Sequence, residues 1–124
     1  MSQVGSARGA AARLSGRRGE ALAATWLMLR GYRILGFRLP TPMAEIDLLA
    51  VCGRVLAVVE VKPRRTLDEA LKAVRTDQRE RLRRAGAHIA ALRSALRDTA
   101  VRLDLIALAP GRAPRHIPDA WAGA

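Results

Sequence analysis

The chain has 124 residues, with 22 Lys or Arg against 11 Asp or Glu, a formal net charge of +11 and an isoelectric point near 11.6. That length supports one hydrophobic core and leaves no room for a second domain. The charge calls for an anionic partner, and without a long apolar segment that partner is nucleic acid rather than a bilayer.

The opening MSQVGSARGAAARL has Arg, Ser and Ala but no acid, a composition that reads as a disordered basic tail over 1–14, with a single domain over 15–124. Within it, Glu20 precedes the apolar ALAATWLMLRG, and no small-residue cleavage site follows, so the stretch is a helix rather than a signal peptide and the expected location is cytoplasmic. Ala21, Leu22, Trp26 and Leu29 recur at helical spacing and Gly31 supplies the stop. YRILGFR, between Gly31 and Pro40, reads as a strand.

AEIDLLAVCGRVLAVVEVK, residues 44–62, then gives two strands joined at Cys52-Gly53. If those two are the central residues of the turn, Glu45 faces Glu60 and Asp47 faces Val58. Side chains alternate along a strand, so Glu45, Asp47, Glu60 and Lys62 collect on one face with Leu49, Leu56 and Val58, while Ile46, Leu48, Ala50, Val55, Ala57, Val59 and Val61 form an apolar reverse face. Clustered carboxylates repel unless a cation sits among them, and Lys62 offsets only one charge. Oxygen ligands with room for water suit Mg²⁺ or Mn²⁺, and Lys62, two residues beyond Glu60, points the same way as that acid.

Thr66 and Glu69 form a capping box ahead of Leu67, Ala70, Leu71 and Val74. Thr76 restarts a helix carrying Leu82, Ala85, Ile89, Leu92 and Leu96 on its apolar face. VRLDLIALA, 101–109, is a further strand in which Asp104 is expected to pair with an Arg, and GRAPRHIPDAWAGA reads as a Pro/Gly-rich tail. The order α-β-β-β-α-β implies three antiparallel strands and a right-handed crossover to a parallel fourth, an α/β sheet flanked by helices. His88 and His116 are isolated, which argues against zinc. Cys52, the single cysteine, excludes an intramolecular disulfide, suits a reducing compartment and is expected to be an ordinary exposed thiol. Trp26 and Phe37 have core-like spacing, so an exposed base-stacking platform is not expected.

The strings GRRGEALAATWLMLRGYRIL, AEIDLLA, VVEVKPRR, RLDLIALA and HIPDAW resemble the YraN-like family of small bacterial proteins, which is similar to PD-(D/E)xK nucleases of the restriction-endonuclease-like fold, Holliday junction resolvases among them. The resemblance implies Asp47 and Glu60 as metal ligands and Lys62 as the motif lysine. It adds Glu20 as a further acid near the metal and Gln78 as a polar residue lining the site. Ala44 stands where many relatives have Gly, and Gln78 where Lys is common. The expected activity is Mg²⁺-dependent (or Mn²⁺-dependent) hydrolysis of phosphodiester bonds in structured or branched DNA. Arg17, Arg18, Arg64, Arg65, Arg79 and Arg83 would grip the backbone, with a steep salt dependence. Symmetric cutting of a four-way junction requires two sites, hence a homodimer. Two further readings stand beside it: a nucleic-acid-binding protein of the same fold that cleaves weakly or not at all, and a basic protein whose partner is an acidic protein or ribosomal RNA.

Overall fold

The computed structural model describes residues 16–123; the expected tail over 1–14 lies outside the described residues. Helix α1 spans Gly16–Leu29, strand β1 Arg33–Pro40, β2 Glu45–Cys52 and β3 Val55–Pro63. A short helix α2, Leu67–Lys72, leads into α3, Thr76–Leu92, followed by a 3-10 turn at Ser94–Leu96, β4 at Ala100–Leu108 and β5 at Arg115–Ile117. The strands lie side by side in chain order; β3 and β4 are parallel and every other neighbouring pair is antiparallel. This is the α/β mixed sheet that the element order demands, with α2 and α3 forming the crossover. No described helix is long and apolar enough to cross a membrane.

The two faces of the sheet carry separate cores. Leu49, Leu56, Val58, Leu103 and Leu105 pack with Leu82, Ala85 and Ile89 of α3. Leu48, Ala50, Ala57, Val59 and Ile106 pack with Ala23, Ala24 and Leu27 of α1. The α1 face differs from the one its large apolar residues suggest. Leu22 and Leu29 are exposed, and the buried positions are Gly19, Ala23, Ala24 and Leu27. Small side chains let the helix lie close to the sheet, so burial follows backbone proximity rather than side-chain size. Leu92 is likewise exposed, because α3 ends there and the chain turns away before Leu96 is buried. Phe37 is exposed rather than in the core. Cys52 is half-buried rather than exposed.

Gly86 sets how closely α3 approaches: a Cβ there would lie 2.6 Å from Cγ2 of Val58 and 2.8 Å from Cγ1 of Val101. The capping box closes as the sequence implies, with the Glu69 N–H donating to Oγ1 of Thr66 at 3.1 Å.

The β2–β3 turn falls one residue later than expected. Cys52 pairs with Val55, so Gly53 and Arg54 are the central residues, and Gly53 takes φ +58. Glycine at the first central position provides the left-handed backbone a tight hairpin requires. Each pair moves by two residues relative to the expected register, an even shift that leaves every side chain on its expected face along the paired segment.

The expected tail also holds a strand. β5 pairs Ile117 with Leu105, His116 with Ile106 and Arg115 with Ala107. Beyond it, Trp121 is buried and its indole N–H donates to the Leu71 carbonyl at 3.1 Å.

Candidate metal and nucleic-acid site

The pairing of β2 with β3 runs from Cys52–Val55 to Leu48–Val59 and then stops, although β2 continues to pair with β1 as far as Glu45. Ile46 leaves the strict alternation there and joins the core on the α3 side. Where the strands part, the N–H of Val61 has a side chain as its partner: it donates to Oδ2 of Asp47 at 3.1 Å. The Asp47 and Glu60 carboxyl groups lie close enough for each to shift the other's titration. Lys62 places Nζ 3.4 Å from Oε2 of Glu60. Thus Asp47, Glu60 and Lys62, read from the sequence as one group, do stand together, although Glu60 meets Asp47 rather than Glu45.

Glu60 is 2 % exposed. Burial, followed by the charge of Asp47, pushes its carboxyl from the ordinary 4.5 up to about 8. Burial also raises Asp47, against the opposing pull of the Val61 N–H and Lys62. Near neutral pH Glu60 is therefore held in its protonated form. Two carboxyl groups are the type of oxygen donor that a hard divalent ion takes together with water.

Glu20 approaches from α1 and its charge is felt at Asp47, yet its carboxylate accepts a hydrogen bond from Nε of Arg38 at 2.6 Å. Among the described residues no three Asp, Glu, His or Cys side chains form a group able to hold a metal. Asp47 and Glu60 thus form a pair of two carboxyls, and Glu20 is engaged by Arg38. Arg38 falls between the pairs Phe37–Leu48 and Leu39–Ile46, opposite Asp47, and takes φ +48. A non-glycine residue in that region is uncommon, and such backbone outliers gather at functional sites. Periodicity gives no sign of Arg38; only the β1–β2 register across the Thr41–Ala44 turn would. Glu45 is exposed. Gln78 is half-buried near the start of α3 and makes no side-chain hydrogen bond among the described residues.

The arginines expected to grip a backbone do not share one surface. Arg17 lines a hollow of about 390 Å³ with Glu20, Phe37 and Arg38, and Arg18 is exposed on the same helix. Arg79 and Arg83 line one of about 950 Å³ with Asp77 and Glu80; Arg79 also donates to the Val74 carbonyl and lies 5.3 Å from the Trp121 ring. Arg64 and Arg65 line a third, with Arg112 and Arg115.

A second ionic group sits on the α1 side of the sheet. Asp104 is fully buried and accepts from Nε and Nη2 of Arg102 at 2.8 and 2.9 Å, from Nε2 of His116 at 2.8 Å and from the N–H of Asp119 at 3.0 Å. Burial alone would raise this carboxyl, but the bonds from His116 and Arg102 outweigh it and hold the carboxyl below the ordinary 3.8. Arg102 also donates to the Tyr32 hydroxyl at 2.7 Å. The expected Asp104–Arg pair is therefore present, while His116 joins it because β5, unseen in the sequence, carries it there. The group fastens β4, β5 and the segment after α1 to one another.

Residues 19–108 match the model of the uncharacterised protein family UPF0102. The chain is 68 % identical over 121 residues to a UPF0102 protein of Caulobacter vibrioides (strain NA1000 / CB15N), covering 98 % of this chain and 97 % of that one. It is 73 % identical over 115 residues to one from Caulobacter sp. (strain K31), covering 93 % and 83 %. A UPF0102 protein of Paramagnetospirillum magneticum (strain ATCC 700264 / AMB-1) is 46 % identical over 115 residues, covering 90 % and 89 %.

Proposed function

The chain belongs to the uncharacterised protein family UPF0102, a membership that names no reaction, and from its acid–lysine cluster we propose that it is a metal-dependent endonuclease acting on structured or branched DNA. One observation carries the reading: the carboxyls of half-buried Asp47 and buried Glu60 come together where β2 and β3 stop pairing, with the ammonium of Lys62 3.4 Å from Glu60. Burying two acids together is unfavourable for folding, and such perturbed carboxylates mark functional sites.

Asp47 is oriented by the Val61 N–H, and Glu60 by Asp47 and Lys62, so both oxygen donors are fixed before any ligand arrives. These two carboxylates would hold a divalent ion, Mg²⁺ or Mn²⁺, which when bound would supply charge stabilisation for phosphoryl oxygens and a more acidic water. Lys62 offers ammonium protons to the attacking water or to the phosphate. Glu20, whose charge is felt at Asp47, would accept a hydrogen bond from a water on that ion with the lone pairs that Arg38 leaves free. Arg17, Arg64 and Arg65 supply positive charge for the backbone. The Arg38–Glu20 pair favours a second reading, in which the protein binds such DNA and cleaves it slowly because the third acid is engaged.

Linear, flap and four-way-junction DNA incubated with the purified protein and Mn²⁺ tests both. Cleavage should fall by about 100-fold or more in Asp47→Asn and Lys62→Ala. Cleavage surviving both substitutions rules out this site, and tight binding without cleavage in Mg²⁺ or Mn²⁺ selects the second reading.

A further inference from the structure

Between the end of β3, the start of α2 and the β4–β5 connection lies a cavity of about 180 Å³ lined by Arg64, Arg65, Thr66, Ala107, Arg112 and Arg115 among others. No acid lines it. None of the four arginines makes an ion pair among the described residues. The larger hollow beside Arg79 differs in this respect, because its Asp77 and Glu80 already pair with Arg75, Arg81 and Arg84. Four like charges around one cavity repel, and an anion between them turns that repulsion into attraction.

The backbone under these arginines is fixed. The Arg64 N–H donates to the Leu108 carbonyl at 3.0 Å, the Arg112 N–H to the Ala109 carbonyl at 3.2 Å, and Arg115 pairs with Ala107 in the sheet. The Thr66 hydroxyl oxygen accepts the Glu69 N–H, which leaves its own hydrogen free to donate. Guanidinium forks and a hydroxyl are the donors that phosphate oxygens select.

The position of the cavity says which phosphate. Lys62 pairs with Ala107, and Ala107 pairs with Arg115. Residues in one such row project to the same side of a sheet, so Lys62 and Arg115 stand two inter-strand spacings apart, roughly 10 Å. We propose that this cavity is a phosphate subsite that holds the DNA backbone at a phosphate neighbouring the one presented to Lys62. The assignment rests on the nuclease reading for its substrate, and it adds Arg112 and Arg115 to the groups that bind it.

The test is fluorescence anisotropy of the full chain with a labelled four-way junction in EDTA, repeated across a salt series. The Arg112→Ala/Arg115→Ala double variant should bind about tenfold more weakly, with a salt slope shallower by about one. Arg93→Ala/Arg97→Ala removes the same charge before β4, at the opposite end of that strand, and should bind nearly as the wild type does. Equal weakening in the two doubles, weakening in neither, or no binding by the wild type overturns the subsite; thermal melts separate any loss of folding. Cleavage in Mn²⁺ is scored separately. A wild type that cleaves while the Arg112/Arg115 variant binds normally sinks the subsite alone, and one that binds through the cavity but never cleaves sinks the nuclease reading alone.

Discussion

Replacing Glu60 by Gln should abolish a stability term that runs opposite to the usual carboxylate behaviour. The folded protein holds the Glu60 proton up to about pH 8, against an ordinary 4.5. Between those values the folded state binds a proton that the unfolded chain has released, so stability falls as pH rises. The rise from 4.5 to about 8, at ~1.36 kcal/mol per pH unit, comes to on the order of 5 kcal/mol. That contribution is complete below about pH 4.5 and gone once Glu60 ionises. Gln keeps the shape but never ionises. Urea or thermal denaturation in EDTA at pH 5, 7 and 9 should therefore find the two proteins alike at pH 5. At pH 9 Glu60→Gln should be the more stable, by ~10 °C or more in Tm. Mg²⁺ at pH 9 should stabilise the wild type and not the variant, since binding to the folded state alone raises stability. Parallel pH slopes in the two proteins, or a variant less stable than the wild type at pH 9, would refute the reasoning.

Asp104→Asn leaves Arg102 and His116 without their carboxylate and should cost about 3 kcal/mol or more, read from the urea midpoint. Its pH signature has the opposite sign: the wild-type Asp104 lies below the ordinary 3.8, so it stabilises fully above that value and its contribution drains as pH falls through the folded one. Acid denaturation should thus show a limb in the wild type that the variant lacks. Gly86→Ala places a methyl group 2.6 Å from Val58 and 2.8 Å from Val101; although Ala is the better helix former by ~1 kcal/mol, overpacking should leave the variant ~1–3 kcal/mol less stable in thermal melts.

The acid–lysine group was legible because its logic is local. Strand alternation places Glu60 and Lys62 on one side whatever the turn, and the actual turn at Gly53-Arg54 moved the register by an even number, so Asp47 stayed with them. An odd slip would have dispersed the group. The buried face of α1 was not legible, because large apolar side chains mark a helix face only when the helix is not pressed against its neighbour, and here Gly19, Ala23 and Ala24 make the contact. β5 escaped notice for a different reason: a three-residue strand between prolines carries no period to read, and its burial of His116 depends on Asp104, twelve residues away in the chain. Arg38 shows the same limit at the site itself, since its meeting with Glu20 is fixed by helix-to-sheet packing and by an unusual φ.

The strand that carries Glu60 and Lys62 is the innermost of five, bonded to β2 on one side and β4 on the other. Its amide hydrogens around Val58 and Val59 should be among the slowest to exchange with solvent, released only when the whole molecule opens. β5, with Arg115, lies at the rim and is three residues long. The family match covers residues 19–108, embracing both carboxylates and the lysine and ending before Arg112 and Arg115. A change in the β4–β5 connection therefore falls at the edge of the sheet and should leave the pairing of the inner strand intact.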